Sequence, residues 1–199
     1  GGASCPVAEY SEVLDRGPGG QGYRTLMPKR KVRHGGGGAF QDVNTDGGFS
    51  HLQKGHEIDV AEVDAVADQD IYAVMGGWYT GDVFPNVFFE NPGHGYHWIT
   101  LRLRGTRANR SAIGARIKVT AREPGGVRQI HVLAGTGGSF GSASLQQEIG
   151  LGKAEAIEEI EIWWPGQEQR QRLGGLEMDR VYLVEEGVAA PRLVKGGSS

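Results

Sequence analysis

The strongest constraint on the fold is a series of short segments in which apolar and polar residues alternate. In "HWITLRLRG" (97–105), Ile99, Leu101 and Leu103 face one way, whereas threonine and arginine face the other. A period of two is that of a β-strand with one buried face. Because "ARIKVTA" (115–121) alternates in the same way, the chain is predicted to be all-β.

Turn residues separate these segments, and glycine alone accounts for 34 of the 199 residues. Glycine, asparagine, aspartate and proline bound runs of β-branched and aromatic residues, which is typical of strands. Further strands are predicted at "AFQDV" (39–43), "EIDVAEVD" (57–64), "DIYAVM" (70–75), "NVFFEN" (86–91), "RQIHVLAG" (128–135), "AIEEIEIWWP" (156–165) and "DRVYLVEEG" (179–187). Their spacing indicates a sandwich or a propeller. One weak helix is predicted at Ala143–Gln147.

The alternation also predicts which side chains form the core. Inward positions are expected at Ile160, Ile162, Trp164, Ile117, Val119, Leu101 and Leu103, and Glu161 is expected to face outward. The outward faces of strands 98–104 and 115–120 are basic, whereas that of strand 157–164 is acidic. If these strands are neighbours, opposite charges pair across them and help to set the register.

Composition excludes several classes of protein. A net charge of −3 gives no general case for nucleic-acid binding. The single cysteine, Cys5, rules out an intramolecular disulfide framework. No apolar run approaches the roughly 18 residues of a membrane-spanning helix.

The second half of the chain resembles a known family. "HWITLRLRGTRANRSAIGARIKVT", "GTGGSFGSASLQQEIGLGKAEAIEEIEIWWP" and "DRVYLVEEG" resemble, in order and spacing, the ASPIC/UnbV domain, a β-domain attached to FG-GAP repeat proteins such as the cartilage acidic protein group. "GHEIDVAEVDAVADQDIYAVMGG" and its flanking strands resemble one FG-GAP repeat. The predicted organisation is a glycine-rich basic arm (1–38), an FG-GAP-like repeat (39–95), an ASPIC/UnbV-like domain (96–187) and a tail (188–199).

The resemblance implies a fold and a function. The expected architecture is an FG-GAP-type β-blade packed on, or followed by, an antiparallel β-sandwich. The family implies a secreted or cell-surface protein used for binding and adhesion, usually with calcium. No catalytic activity is established for this type of domain, so the chain is expected not to be an enzyme.

Two acidic loops are candidate calcium sites, because calcium takes six to eight oxygens that a short loop supplies at alternate positions. FG-GAP repeats carry such a loop just before a strand. Here Glu62, Asp64, Asp68 and Asp70 fill that place, although Val66 and Ala67 replace an oxygen ligand and the turn glycine. The alternative is an inherited turn whose carboxylates are solvated.

The other loop fits the calcium spacing better. In "DVNTDGGFS" (42–50), the oxygen ligands would come from Asp42, Asn44, Asp46 and Ser50, and Gly47 would allow the sharp turn. The alternative is a turn rich in asparagine and aspartate that is closed by Gly47 and Gly48.

Self-association is the expected mode of action. A propeller needs several blades, so a single blade leaves open strand edges that invite pairing. The arm, through "GYRTLMPKRKV", could lie along such an edge of another copy and build a homopolymer or surface fibre. The other outcome is that the arm folds back on its own domain as an extra strand.

Two other functions stay open. A carbohydrate-binding module would use Trp163, Trp78, Tyr79 and Tyr96, with a glycan or a matrix protein as the partner. A metal-dependent hydrolase would use the acidic residues together with His51, His56, His94 and His97. Asn109 begins an "NRS" glycosylation sequence, which also lies in the turn of the ASPIC/UnbV-like pattern.

Overall fold

The computed structural model describes residues 30–34, 38–44, 48, 55–61, 69–76, 84–93, 95–137 and 144–194. Strands account for all the regular structure in these ranges, which confirms the all-β class. None of the described residues forms a helix that could cross a membrane. The strands are β1 (Val32–His34), β2 (Phe40–Asp42), β3 (Gly55–Ala61), β4 (Asp70–Met75), β5 (Val87–Phe89), β6 (His97–Arg104), β7 (Arg116–Glu123), β8 (Gly126–Leu133), β9 (Gln146–Gly152), β10 (Ala156–Trp163), β11 (Arg170–Leu173), β12 (Val181–Glu185) and β13 (Arg192–Val194).

Contacts within the chain define two compact units. One comprises Gly1–His56 and Ala73–Phe89, and the other comprises Glu57–Tyr72 and Glu90–Ser199. In the first unit, β1 and β2 form an antiparallel ladder in which Val32 lies opposite Asp42. A three-stranded sheet has the order β3-β4-β5.

The second unit contains a β-sandwich, as predicted. Its sheet I has the strand order β11-β10-β7-β8, and its sheet II has the order β13-β12-β6-β9. All pairs in sheet I are antiparallel. In sheet II, β12 runs parallel to β6, and the other two pairs are antiparallel.

Apolar side chains from both sheets form one core. The predicted members Ile160, Ile162, Trp164, Ile117, Val119 and Leu101 are all at most 3% exposed. Leu103 is partly buried and packs against them. The core also takes Ile99, Ile149, Leu151, Ile157, Leu173, Tyr182 and Val184, among others. The prediction of the inward faces is therefore confirmed.

The register of sheet I confirms one predicted set of charge pairs and corrects another. Ile160 lies opposite Val119 and Glu161 lies opposite Lys118, so the acidic face of β10 does meet the basic face of β7. Strand β6, however, lies in sheet II. Its arginines therefore do not pair with the glutamates of β10; Arg104 instead lies 3.7 Å from Glu185 of β12.

The helix predicted at Ala143–Gln147 is wrong at its end, where Gln146 and Gln147 begin β9. From Gln147 onward, Ile149 and Leu151 continue at a spacing of two, and all three side chains are buried. This period of two suits a strand that covers the core and overrides the helical propensity of the glutamines. Ala143 lies outside the described residues.

The last part of the predicted arm pairs within its own chain. Val32–His34 forms the ladder with Phe40–Asp42, and the Val43 N–H donates to the Lys31 carbonyl at 2.9 Å. Residues 32–34 therefore fold back as an extra strand on their own chain, which is the alternative to pairing with another copy. Residues 1–29 lie outside the described residues.

Candidate functional site

The better of the two predicted calcium loops is described only at its start. Both carboxylate oxygens of Asp42 accept hydrogen bonds from Asn44, one from its backbone N–H at 3.0 Å and one from its side-chain amide at 3.2 Å. The Asn44 Oδ1 atom accepts the backbone N–H of Lys31. Such bonds between an aspartate and the residue two positions later are those of a local turn at Asp42. Asp46 and Ser50 lie outside the described residues.

The other acidic loop is described only at its last position. Asp70 is 1% exposed, and its Oδ1 accepts the backbone N–H of Asn91 at 2.9 Å. The Asn91 side chain donates in turn to the Gln69 carbonyl at 3.4 Å. Asp70 therefore ties the start of β4 to a distant turn. Glu62, Asp64 and Asp68 lie outside the described residues.

No group of three or more histidine, cysteine, aspartate or glutamate side chains suited to a metal occurs within the described ranges. Most of the proposed ligands of both loops fall outside those ranges. Calcium binding at either loop therefore stays a prediction.

Calcium should raise the melting temperature of the intact chain if Asp42, Asn44 and Asp46 bind it. A ligand at a hundredfold excess over its dissociation constant adds about 2.7 kcal/mol to the free energy of unfolding. We expect Asp46→Ala to abolish this rise, whereas Asp59→Ala in β3 should preserve it. Equal melting of the unmutated chain in calcium and in chelator would exclude the site.

A histidine–aspartate pair fixes the start of β6. The His97 Nδ1 lies 2.7 Å from Asp179 Oδ2, and Asp179 Oδ1 accepts the Trp98 N–H at 3.1 Å. Asp179 has a positive φ of 58°, and its own N–H donates to the Trp98 carbonyl at 2.7 Å. These contacts hold the turn before β12 against β6. His51 and His94, and the side chain of His56, lie outside the described residues.

A second buried carboxylate organises the loop after β6. Glu186 Oε2 accepts the backbone N–H groups of Thr106, Arg107 and Ala108 at 2.7–2.8 Å. Burial opposes its ionisation, but the three N–H donors and the Arg107 guanidinium outweigh it and lower the pKa of Glu186 below its usual 4.5. A Cβ at Gly105 would collide with the Asn109 carbonyl, so this tight loop requires glycine there.

The side chain of Asn109, the first residue of the glycosylation sequence, forms hydrogen bonds within the same loop. The Asn109 amide donates to the Ile113 carbonyl at 2.8 Å, and its Oδ1 accepts the Ile113 N–H at 2.9 Å. The turn function of "NRSAIGA" thus accounts for Asn109 without modification.

The outward side chains of sheet I form a charged surface, which we call the open face. The strand registers place its side chains in rows that cross the sheet. One row consists of Leu133, Arg116, Trp163 and Arg170. The next consists of His131, Lys118, Glu161 and Arg172. Farther along the strands lie Thr120, Glu159 and Arg122.

Glu161 is at the centre of the open face but, contrary to the simple outward prediction, it is only 1% exposed. Its Oε2 pairs with Lys118 Nζ, and its Oε1 lies 3.0 Å from Arg170 Nη1 and 3.4 Å from Arg172 Nη2. The hydrogen bond from Lys118 lowers the pKa of Glu161 despite burial, and Arg170 lowers it further. Three long cationic side chains thus cover a carboxylate that lies on the polar side of its strand.

One predicted aromatic residue belongs to this face. Trp163 is partly buried, and the Arg170 guanidinium carbon lies 4.9 Å from its ring centroid. Tyr96, by contrast, is 50% exposed and precedes β6 in the other sheet. Trp78 and Tyr79 lie outside the described residues. Among the described residues, Trp163 therefore lies beside arginines and not beside the other predicted aromatic residue, Tyr96.

Sequence reasoning missed the cations of β11. "RQRL" is short and polar, so it lacks the apolar alternation by which the other strands were predicted. The basic residues of β11 could have been expected from the acidic strand β10, because Glu159 and Glu161 require basic partners if they are buried.

Comparison with known families identifies this part of the chain. Residues 105–191 match the ASPIC and UnbV family model. The matched ASPIC/UnbV region includes all four strands of sheet I, and hence the whole open face. The predicted resemblance to the ASPIC/UnbV domain is thereby confirmed for residues 105–191, which form a β-rich region. Comparison of the whole chain with curated proteins gives no match.

The ASPIC/UnbV region supplies sheet I entirely but sheet II only in part. Strands β6 and β13 of sheet II lie outside the matched residues. On the outer side of sheet II, Glu148 accepts a hydrogen bond of 2.7 Å from Gln69, which lies before β4.

Proposed function

We propose that the chain is a secreted, non-enzymatic protein of extracellular adhesion or assembly. In this proposal residues 39–95 form an FG-GAP-type repeat, as in the cartilage acidic protein group, and calcium stabilises the chain. The main support is the open face of sheet I, where exposed arginines lie on both sides of a partly exposed tryptophan. Arginine and tryptophan are enriched in protein interfaces, so such a surface suits binding to a partner.

Self-association is the first form of the proposal to test. The purified full chain should form larger species as its concentration rises, measured by light scattering in calcium and in chelator. Deletion of residues 1–22 should weaken this association. That shorter deletion retains β1, whereas deletion of residues 1–34 would also remove the ladder with β2. A full chain that stays monomeric at high concentration with calcium present would contradict assembly.

Adhesion to a surface is the other form. The labelled full chain should bind a layer of extracellular matrix more strongly than a layer of albumin. Binding to neither layer, together with a monomeric state, would leave the proposed function without support. A metal-dependent hydrolase ranks third, and it would be tested by adding calcium or zinc to the chain with chromogenic ester and phosphate substrates.

A carbohydrate-binding function is favoured as the second candidate by one observation. Trp163, one of the predicted sugar-contacting residues, lies on the exposed side of sheet I between Arg116 and Arg170. An aromatic ring flanked by hydrogen-bond donors is an arrangement that can hold a sugar ring and its polar substituents.

A further inference from the structure

We propose that the open face of sheet I binds an anionic polysaccharide, one that carries sulfate or carboxylate groups along its chain. This inference rests on the proposed function of extracellular binding and names the chemistry of its ligand.

The charge of the open face favours an anionic ligand. Its cations are Arg116, Lys118, Arg122, Arg170 and Arg172; its carboxylates are Glu159 and Glu161, and Glu155 lies 3.7 Å from Arg122. Two positive charges are therefore left over among these side chains, in a chain whose total charge is −3. Concentration of positive charge on one face of an acidic chain creates a local field that attracts anions.

The arginines on this face are accessible to a ligand. Arg116 is exposed and forms no ion pair with any residue in the described ranges. Arg122 and Arg172 keep 55% and 62% of their side-chain surfaces exposed, although each lies near a glutamate. Exposed pairs at 3.7–3.8 Å contribute little energy, so an incoming anion can compete for these guanidinium groups.

The spacing of the cations suits a ligand with separated charges. Neighbouring strands lie about 4.8 Å apart, and successive outward residues lie about 6.6 Å apart along a strand. Guanidinium groups form paired hydrogen bonds with carboxylate and phosphate oxygens, and the oxygens of a sulfate group offer similar acceptors. The rows through Arg116 and Arg122 thus offer donors at both ends of β7.

The remaining features favour a sugar chain over nucleic acid. The carboxylate of Glu159, which is 36% exposed, can accept hydrogen bonds from sugar hydroxyls on the same face. Trp163 offers an apolar ring edge beside Arg116 on the same row. The isoelectric point of about 6.1 lies far below that of typical nucleic-acid-binding domains.

The test uses the full chain and heparin, a sulfated polysaccharide, with neutral dextran as the negative ligand. We expect heparin to bind, dextran not to bind, and the affinity for heparin to fall as salt increases. The double variant Arg116→Glu/Arg122→Glu reverses two exposed charges and should weaken binding at least about tenfold. The control variant Arg102→Glu/Arg192→Glu makes the same change in total charge at exposed positions of sheet II and should stay within about twofold.

Folding and ligand identity are checked separately. The melting curve of each variant must show that it is folded at the temperature of the binding assay. Trp163→Ala provides a second, uncharged test that should also weaken heparin binding. Absence of heparin binding, or equal weakening by the control variant, would overturn the proposal. Stronger binding of an oligonucleotide or of polyglutamate at the same face would overturn the assignment to a polysaccharide. A chain that adheres to matrix but ignores heparin would refute this inference and leave the proposed function standing.

Discussion

Replacing Trp164 with alanine is expected to lower the free energy of unfolding by about 3–5 kcal/mol, as large-to-small changes in a core do. The side chain is 3% exposed and belongs to the core of the sandwich. Its indole N–H donates to Gln171 Oε1 at 2.8 Å, and that bond is lost as well. Chemical denaturation followed by tryptophan fluorescence and circular dichroism would measure the loss.

The neighbouring tryptophan provides the matched control. Trp163 is on the opposite side of the same chain segment, and its ring contacts the Arg170 guanidinium. An exposed contact of this kind contributes about 0.5–1 kcal/mol, so Trp163→Ala should cost far less than Trp164→Ala. A larger loss from Trp163→Ala would mean that the inward face of this segment is shifted by one residue.

Replacing Glu186 with glutamine should cost about 1–3 kcal/mol at neutral pH, because it removes the charged acceptor of three backbone N–H groups. The folded-state pKa of Glu186 lies below its usual 4.5. Its charge therefore stabilises the fold above about pH 4.5, and this contribution disappears as the pH falls through the folded-state pKa. The gap between the unmutated chain and Glu186→Gln should close in acid.

Glu185→Gln is the control for this experiment. Glu185 is adjacent in sequence, is 37% exposed, and lies 3.7 Å from Arg104, so its loss should cost under about 1 kcal/mol. Denaturant unfolding at several pH values would compare the two variants. An equal loss for both at neutral pH, or a gap for Glu186→Gln that persists in acid, would contradict the assigned role of Glu186.

The strands that could be predicted from sequence are those that cover the core. β4 matches the predicted segment "DIYAVM" in full, and β6, β7 and β10 differ from theirs only at the ends. The alternation of apolar and polar residues in these strands indicates which side chains become buried, and Ile160 and Ile162 are buried as predicted. Strands β11 and β13 were missed, because three or four residues rich in arginine show no such period.

The open face could be predicted only in part, because alternation does not say which strands are neighbours. The basic strands β6 and β7 look alike in sequence, yet only β7 lies beside the acidic β10. The cover over Glu161 comes from Lys118 on one side and from Arg170 and Arg172 on the other, and such long-range pairings are set by the whole fold. The spacing of Asp42 and Asn44 is likewise ambiguous, because it fits both a calcium loop and a hydrogen-bonded turn.

The parallel pairing of β12 with β6 has a consequence for biosynthesis. Thr100 lies opposite Val181, which follows it by 81 residues, so the central strand of sheet II must wait for its neighbour to be translated. At about 5–20 residues per second, that interval lasts roughly 4–16 s. During it the edge of β6 can pair with other nascent chains, since distant strand contacts form late. The emergence of β12 from the ribosome, rather than hairpin formation in sheet I, would then set the time after which the edge of β6 can no longer pair with other chains.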